Sequence, residues 1–249
     1  MARQSRQVNN RQDTYYHIPL RTVGLKEDRP FGPAERRRLR ELLTQVSLFY
    51  TVRVVDVAFL GNHVHLVVKA PARLPRRALV RRRWLAYYAA CGTPKAEPNW
   101  EDLEAVGRIA AKMRSISEFV KMFKQRAAVW FNNHAQPGRR GSLWCNRFVS
   151  KIVTSSKQLL FLMRYVDLNP VKAGMASGAL AGMLNVPGAI AVGACPFAAD
   201  YLKTLRSCWD RPCAHLDDDE LFARHVRHLE RIRAGSRGAL PEEMDRYLI

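Results

Sequence analysis

The chain has 249 residues, 47% of them hydrophobic, which is enough to bury one substantial core, and we expect one main domain. Its 41 Lys and Arg residues outnumber its 22 Asp and Glu residues, and the formal net charge of +19 indicates an anionic partner, with nucleic acid as the first candidate. No apolar run approaches the roughly 20 residues that span a bilayer, so we expect no membrane contact and a cytoplasmic protein. The five cysteines have no regular spacing and predict reduced thiols.

The first part of the chain alternates strand and helix patterns. Residues 1–13 lack apolar periodicity and predict a flexible basic arm. Residues 15–22 predict a strand, Pro33 opens an amphipathic helix, and the β-branched run 51–60 predicts a second strand. The turn at 61–62 then leads into a third strand, which predicts an antiparallel hairpin.

The second part of the pattern completes a small sheet. Residues 115–134 predict a long amphipathic helix, and residues 143–153 predict the last strand. A further helix runs from a serine cap near residue 155 to Asn169, with Pro170 just after it. The order βαββαβ with a trailing helix predicts an α+β, ferredoxin-like antiparallel sheet with helices on one face, within a domain spanning residues 14–175.

The C-terminal extension, residues 176–249, has no role that the sequence assigns. Its first part is rich in Gly and Ala and indicates a packed connector. The acidic run at 217–220 resembles a metal cluster, but carboxylates also favour the start of a helix, and we interpret it as the first turn of a C-terminal helix.

A histidine pair is the most informative feature of the chain. His63 and His65 flank Val64 on the third predicted strand, so both imidazoles project from one face of the sheet and form half of a metal site. About a hundred residues later, Tyr165 and Asn169 lie four apart on a predicted helix and share a face. Nitrogen and oxygen ligands of this kind suit Mg²⁺ or Mn²⁺, and a metal beside a tyrosine suggests phosphodiester chemistry.

These motifs resemble those of the single-tyrosine HUH transposases, and among them the branch of REP-associated tyrosine transposases. The similarity runs from about Tyr15 to about Met175. It is carried by His63-Val64-His65, Leu143-Trp144, Arg147-Phe148, Tyr165 and Asn169-Pro170-Val171-Lys172-Ala173-Gly174.

The resemblance implies a bacterial, metal-dependent DNA endonuclease that cleaves and rejoins single-stranded or hairpin DNA through a 5′-phosphotyrosine. Tyr165 would be the nucleophile, and His63, His65 and Asn169 would hold the metal. No Gly-rich phosphate loop followed by Lys-Ser or Lys-Thr is present, and we expect no nucleotide cofactor. No general base is evident from the sequence, and Asp167 and Lys172 are low-ranking candidates.

The chain departs from the family pattern in two places. Cys145 stands where relatives often carry Gln, and an Arg-rich insertion at about 71–99 lengthens the gap before the long helix. The insertion's arginines with Trp84, Tyr87 and Tyr88 predict either a surface for stacking bases or inward packing, and the pattern does not decide between them. We expect basic residues of the arm, insertion, long helix and last strand to contact DNA: Arg3, Arg6, Arg11, Arg76, Arg77, Arg82, Lys124, Arg139, Arg140 and Arg147.

Two other functions compete with this interpretation. Histidine-triad nucleotide hydrolases also use alternating histidines, but Val67 stands where that pattern needs a third. A four-stranded sheet with helices behind it also serves single-strand binders, so a non-catalytic nucleic-acid-binding protein of the same fold is the alternative. The sequence leaves open whether the chain acts as a monomer or a dimer.

Overall fold

Four antiparallel strands form the sheet that carries the histidine pair. The computed structural model describes residues 7–25, 27–145, 147–209, 213 and 215–235. The strands lie in the order β2-β3-β1-β4, which is the ferredoxin-like arrangement and confirms the predicted α+β fold. Their bounds are β1 Thr14–Arg21, β2 Arg53–Phe59, β3 His63–Ala70 and β4 Lys151–Val153.

One face of the sheet is apolar and is covered by two long helices. On β1, Tyr16, Ile18 and Leu20 are buried, and their partners on β3 include Leu66. Helix α1, Pro33–Phe49, and helix α4, Ile116–Trp130, pack on each other in this layer. A π-helical turn, Phe131–Ala135, extends α4, so the predicted long helix is present over nearly its whole length.

The insertion forms a helix that packs on α1. Helix α2, Arg77–Cys91, packs on α1, and helix α3, Leu103–Arg114, leads from it to α4. Trp84 and Tyr87 are buried against Phe49, so for these two aromatics the structure shows inward packing. Arg83 donates to the carbonyls of Ser47, Leu48 and Tyr50, which the end of α1 leaves without intrahelical partners.

The opposite face of the sheet is covered by the trailing helix and the C-terminal extension. Helix α5, Ser156–Lys172, packs on β2 and β3. Helices α7 and α8 pack against α5, and the acidic run begins α8 as predicted. The remaining bounds are α6 Val186–Ala191, α7 Ala198–Cys208 and α8 Asp218–Gly235.

Two elements differ from the sequence prediction. The last strand covers only Lys151–Val153 of the predicted 143–153, because Trp144 forms an isolated bridge to Thr22 and the chain then leaves the sheet. Helix α5 does not stop before Pro170 but continues to Lys172. Pro170 is buried in the last turns, where packing on neighbouring helices outweighs the loss of one N–H donor. Within the described residues, no helix is both long enough and apolar enough to cross a bilayer.

Candidate active site

Strand β3 presents the histidine pair to the face that α5 covers. His63 is partly exposed and His65 is buried, and their ring centroids lie 5.0 Å apart. The pairing of β1 with β3 places Pro19 opposite His65 and Arg21 opposite His63 on the same face. The predicted shared face of the two imidazoles is present in the structure.

Each histidine of the pair uses its Nδ1 atom in a contact within the protein. His63 Nδ1 donates to Asn62 Oδ1 over 2.7 Å, so its Nε2 carries the free lone pair. His65 Nδ1 lies 3.0 Å from His17 Nε2. Its Nε2 atom is therefore the nitrogen that remains to bind a ligand. Partners on Nδ1 of this kind orient imidazoles whose Nε2 atoms bind a metal.

Both imidazoles are held in the neutral form. Burial lowers the pKa of His65 well below its ordinary value, and the neighbouring His17 and His63 lower it further. Burial also lowers the pKa of His63, with smaller contributions from the positive charges of Arg21 and Arg29. Since a metal binds the deprotonated nitrogen, these shifts prepare the pair for ligation near neutral pH.

His17 lies at the site as well, although it is not among the ligands that the sequence predicts. It is buried, its ring stacks on His65 at 5.2 Å between centroids, and burial lowers its pKa to about 4. Strand alternation alone does not reveal this contact, because it depends on which residue of β1 faces which residue of β3. The register, with His17 opposite Val67, is the missing information.

Helix α5 brings Tyr165 against the histidine pair. The Tyr165 ring packs edge-on against His65, with 5.4 Å between the ring centroids. Tyr165 is partly buried, whereas Asn169, one turn later, is almost fully buried. Asn169 Nδ2 has no hydrogen-bond partner among the described residues, so its amide has an unused donor.

The donor set near the pair is small and mixed. Within the described residues, no group of three or more His, Cys, Asp and Glu side chains is arranged to hold a metal. Two Nε2 atoms and one amide would therefore leave several positions for water and phosphate oxygens. That incomplete set fits Mg²⁺ or Mn²⁺, which keep water or substrate ligands, better than a closed zinc site.

A buried polar network joins α5 to the C-terminal extension. Tyr201 donates its hydroxyl to Asp167 Oδ2 over 2.8 Å, and His225 Nε2 lies 3.0 Å from the same oxygen. Burial raises the pKa of Asp167 well above its ordinary value, and burial lowers that of His225 to about 3. Asp56 on β2 is buried next to Asp167, and burial together with the Asp167 charge raises its pKa. These pKa directions favour the neutral forms of the two carboxyls and of His225, and the buried placement favours a structural role for Asp167 over that of a general base.

The structure does not gather the predicted DNA-binding residues around Tyr165. Arg3 and Arg6 lie outside the described residues. Arg77 is paired with Glu101 at 2.7 Å, and Arg139 donates to Asn132 and Ser142. The residues of the insertion lie on α2 or at its start, in the layer on the opposite side of the sheet from Tyr165: Arg76, Arg77 and Arg82. The other predicted contacts lie on the arm, on α4 and on the loops that follow it: Arg11, Lys124, Arg139, Arg140 and Arg147.

Two exposed cations that sequence reasoning omitted lie close to the pair. Arg21 ends β1 opposite His63, and both Arg21 and Arg29 are near enough to shift the His63 pKa. The signal for Arg21 is its alternation with His17 and Pro19 on one strand. Nothing in the local sequence marks Arg29.

Comparison with known proteins finds a similar solved structure. A solved REP-associated tyrosine transposase bound to a REP hairpin is similar to this chain, with 15% sequence identity and a TM-score of 0.43. The match covers 79% of this chain and 90% of that one. That structure belongs to the branch whose motifs the sequence resembles. No protein-family model and no curated protein matches the chain.

Proposed function

We propose that the chain is a DNA endonuclease and strand transferase that cuts and rejoins single-stranded or hairpin DNA through a covalent link to Tyr165. The observation that carries the proposal is the position of the Tyr165 ring, 5.4 Å from that of His65, over a pair of neutral histidines. A tyrosine beside two imidazoles whose Nδ1 atoms are engaged within the protein places a nucleophile next to a candidate metal site.

His63, His65 and Asn169 are the residues that would hold Mg²⁺ or Mn²⁺. When bound, the ion would withdraw electron density from the oxygens of the scissile phosphate and favour attack by an oxygen nucleophile. His17 and Asn62 would fix the two imidazoles through their Nδ1 atoms. Asn169 would contribute its amide oxygen, since only the oxygen of an amide binds such an ion.

Tyr165 would attack the phosphorus through its phenolic oxygen. A new bond from phosphorus to the tyrosine oxygen replaces the bond to the 3′ oxygen, which leaves as a hydroxyl, while the phenol loses its proton. Since the phosphodiester energy is kept in the covalent link, the reverse attack by a 3′-hydroxyl rejoins the strand without a nucleotide cofactor. The exposed guanidinium groups of Arg21 and Arg29 are placed to attract the phosphate.

The net charge of +19 supports DNA as the partner and predicts steeply salt-dependent binding. We place the activity in the bacterial cytoplasm, at the nucleoid, where such DNA is found. Single nicking events and complete transposition are both compatible with this chemistry.

The test is a gel assay for a covalent adduct between the protein and an end-labelled single-stranded hairpin with Mn²⁺. Wild type should give an adduct that resists denaturation, and Tyr165→Phe should give none while still binding DNA. Tyr88→Phe, a partly buried tyrosine of α2, is the matched control and should react like wild type. An adduct with Tyr165→Phe would overturn the assignment. Binding by wild type without any adduct, across a varied hairpin library, would favour the non-catalytic alternative.

A further inference from the structure

A basic cavity lies between α5 and the C-terminal helix α8, on the part of the chain to which the sequence assigned no role. Its volume is about 510 Å³. The lining combines four guanidinium groups, one imidazole and one indole, and no described carboxylate: Arg164, Trp209, Arg224, Arg227, His228 and Arg231. A cavity with this lining is suited to an anion.

The spacing of the arginines on α8 lowers the stability of the helix. Arg224, Arg227 and Arg231 recur at intervals of three and four residues and so lie on one face. Like charges at this spacing destabilise a helix by about 0.2–0.5 kcal/mol per pair. None of the three forms an ion pair with a described residue, whereas Arg233 on the same helix is paired with Glu230 at 2.7 Å. The three arginines that α8 contributes to the cavity therefore have no ion pair within the described part of the chain.

The wall of the cavity is fixed by packing. The Arg164 guanidinium lies 5.2 Å from the centre of the Trp209 ring, and Trp209 contacts His225 and His228 edge-on. His225 in turn belongs to the buried network with Asp167. Burial, followed by the charges of Arg164, His225 and Arg231, lowers the pKa of His228 to about 4. The strongest polar groups of the cavity are therefore held in place before any ligand arrives.

Arg164 connects the cavity to the candidate nucleophile. It is the residue before Tyr165 on α5, so one rigid helix carries both a wall of the cavity and the tyrosine. We propose that the cavity binds a backbone phosphate of the same single-stranded DNA whose scissile phosphate lies at Tyr165. This inference rests on the proposed function. Bidentate contacts from the guanidinium groups would set the path of the strand and hence the position of the cut.

The test compares two double variants that remove the same charge. Arg227→Gln with Arg231→Gln removes two groups of the cavity, and Arg37→Gln with Arg108→Gln removes two exposed arginines of α1 and α3. Binding of a fluorescein-labelled single-stranded oligonucleotide is followed by anisotropy at several salt concentrations. Thermal unfolding of each variant establishes that it is folded.

The cavity variant should bind the oligonucleotide on the order of tenfold more weakly than wild type, which corresponds to about 1.4 kcal/mol for the two solvent-screened charges together. Its plot of log affinity against log salt should be less steep by about 0.7, because one phosphate contact on a single strand contributes about 0.7. The control pair should change the affinity by less than half as much on the logarithmic scale. Equal losses in the two variants, or none in the cavity variant, would overturn the proposal.

The same proteins separate this inference from the proposed function. If wild type forms no covalent adduct but the cavity variant still loses affinity and salt dependence, the cavity binds DNA and the tyrosine chemistry is wrong. If the adduct forms normally in both double variants and their affinities match, the chemistry stands and the cavity proposal fails. Loss of binding to phosphatidylserine vesicles with unchanged DNA affinity would likewise overturn it, in favour of a membrane surface.

Discussion

The two faces of the sheet are both covered by helices, but they bury different chemistry. Beneath α1 and α4 the strands contribute mainly apolar side chains such as Ile18 and Leu66. Beneath α5 they contribute His17, His65 and Asp56, which are also buried. Buried polar groups stabilise a protein less than apolar ones of the same size and cost free energy when unpaired. The apolar face accounts for the fold, and in our proposal the histidines of the polar face serve the function.

The largest expected difference between the two faces is in the effect of a single substitution on adduct formation. We expect His65→Ala to abolish the Mn²⁺-dependent adduct, because it removes one of two imidazole ligands. Leu66→Ala, the neighbour that points to the other face, should lower the free energy of unfolding by about 2–5 kcal/mol and leave adduct formation per folded molecule unchanged. Denaturant unfolding and the adduct gel measure the two effects. If Leu66→Ala abolished the adduct while folded, the division between the faces would be wrong.

His17 sharpens the comparison, because it lies on the polar face without being a proposed ligand. His17→Ala should reduce adduct formation by about 10–100-fold through loss of the contact that orients His65. The Mn²⁺ concentration at half-maximal rate should rise, which a purely structural role would not produce. A titration of the adduct rate with Mn²⁺ measures this. An unchanged half-maximal concentration would make His17 a packing residue.

Two tyrosine hydroxyls allow the same substitution on each side of the sheet. Tyr201→Phe removes the donor to the buried Asp167 carboxyl, and we expect the free energy of unfolding to fall by about 1–3 kcal/mol. Tyr50→Phe removes a donor to the Glu118 carbonyl on the apolar side and should cost about 0.5–1.5 kcal/mol. Urea unfolding at neutral pH gives both values. A larger loss for Tyr50→Phe would contradict the special position of the Asp167 network.

The last expected effect is on the pH dependence of stability. The folded pKa of Asp56 is raised, so the stability linked to its protonated form is present below the unfolded pKa and is lost as the pH rises. Asp56→Asn cannot titrate, so as the pH rises above about 4 its free energy of unfolding should fall less than that of wild type, by at most about 1.4 kcal/mol per pH unit.

His225 should produce the opposite dependence in the same experiment. Its folded pKa of about 3 lies below the ordinary value of 6.5, so wild type should lose stability as the pH falls from 6.5 towards 3. Urea titrations of wild type and Asp56→Asn across this range distinguish the two groups. Parallel curves above pH 4 would show that the Asp56 carboxyl is not perturbed by folding.

Local pattern was sufficient for much of this architecture. Alternating apolar residues predicted β1, β2 and β3, and the shared face of His63 and His65 follows from the two-residue period of a strand. The helical period placed Tyr165 and Asn169 on one face of α5. In each case the relevant residues lie within a few positions of one another.

What the sequence could not predict depends on distant partners. Gln7 contacts the outer edge of the short β4, where its side-chain oxygen accepts a hydrogen bond from the Ile152 N–H over 2.8 Å. The contact of His17 with His65 needs the strand register, and the contact of Asp167 with His225 spans 58 positions. Helix α3 was not predicted either, since the insertion obscured where the sequence returns to the main domain.

The carboxyl of Asp167, which contacts residues of two other helices, should also affect how the protein unfolds. Because α5 is bonded through this one side chain to α7 and α8, opening any of the three exposes a buried polar group on the other two. Their backbone amides should therefore exchange with solvent deuterium as one cooperative unit, at a rate distinct from that of α2 on the far side of the sheet. The helix that presents the tyrosine is as stable as the tail that encloses it.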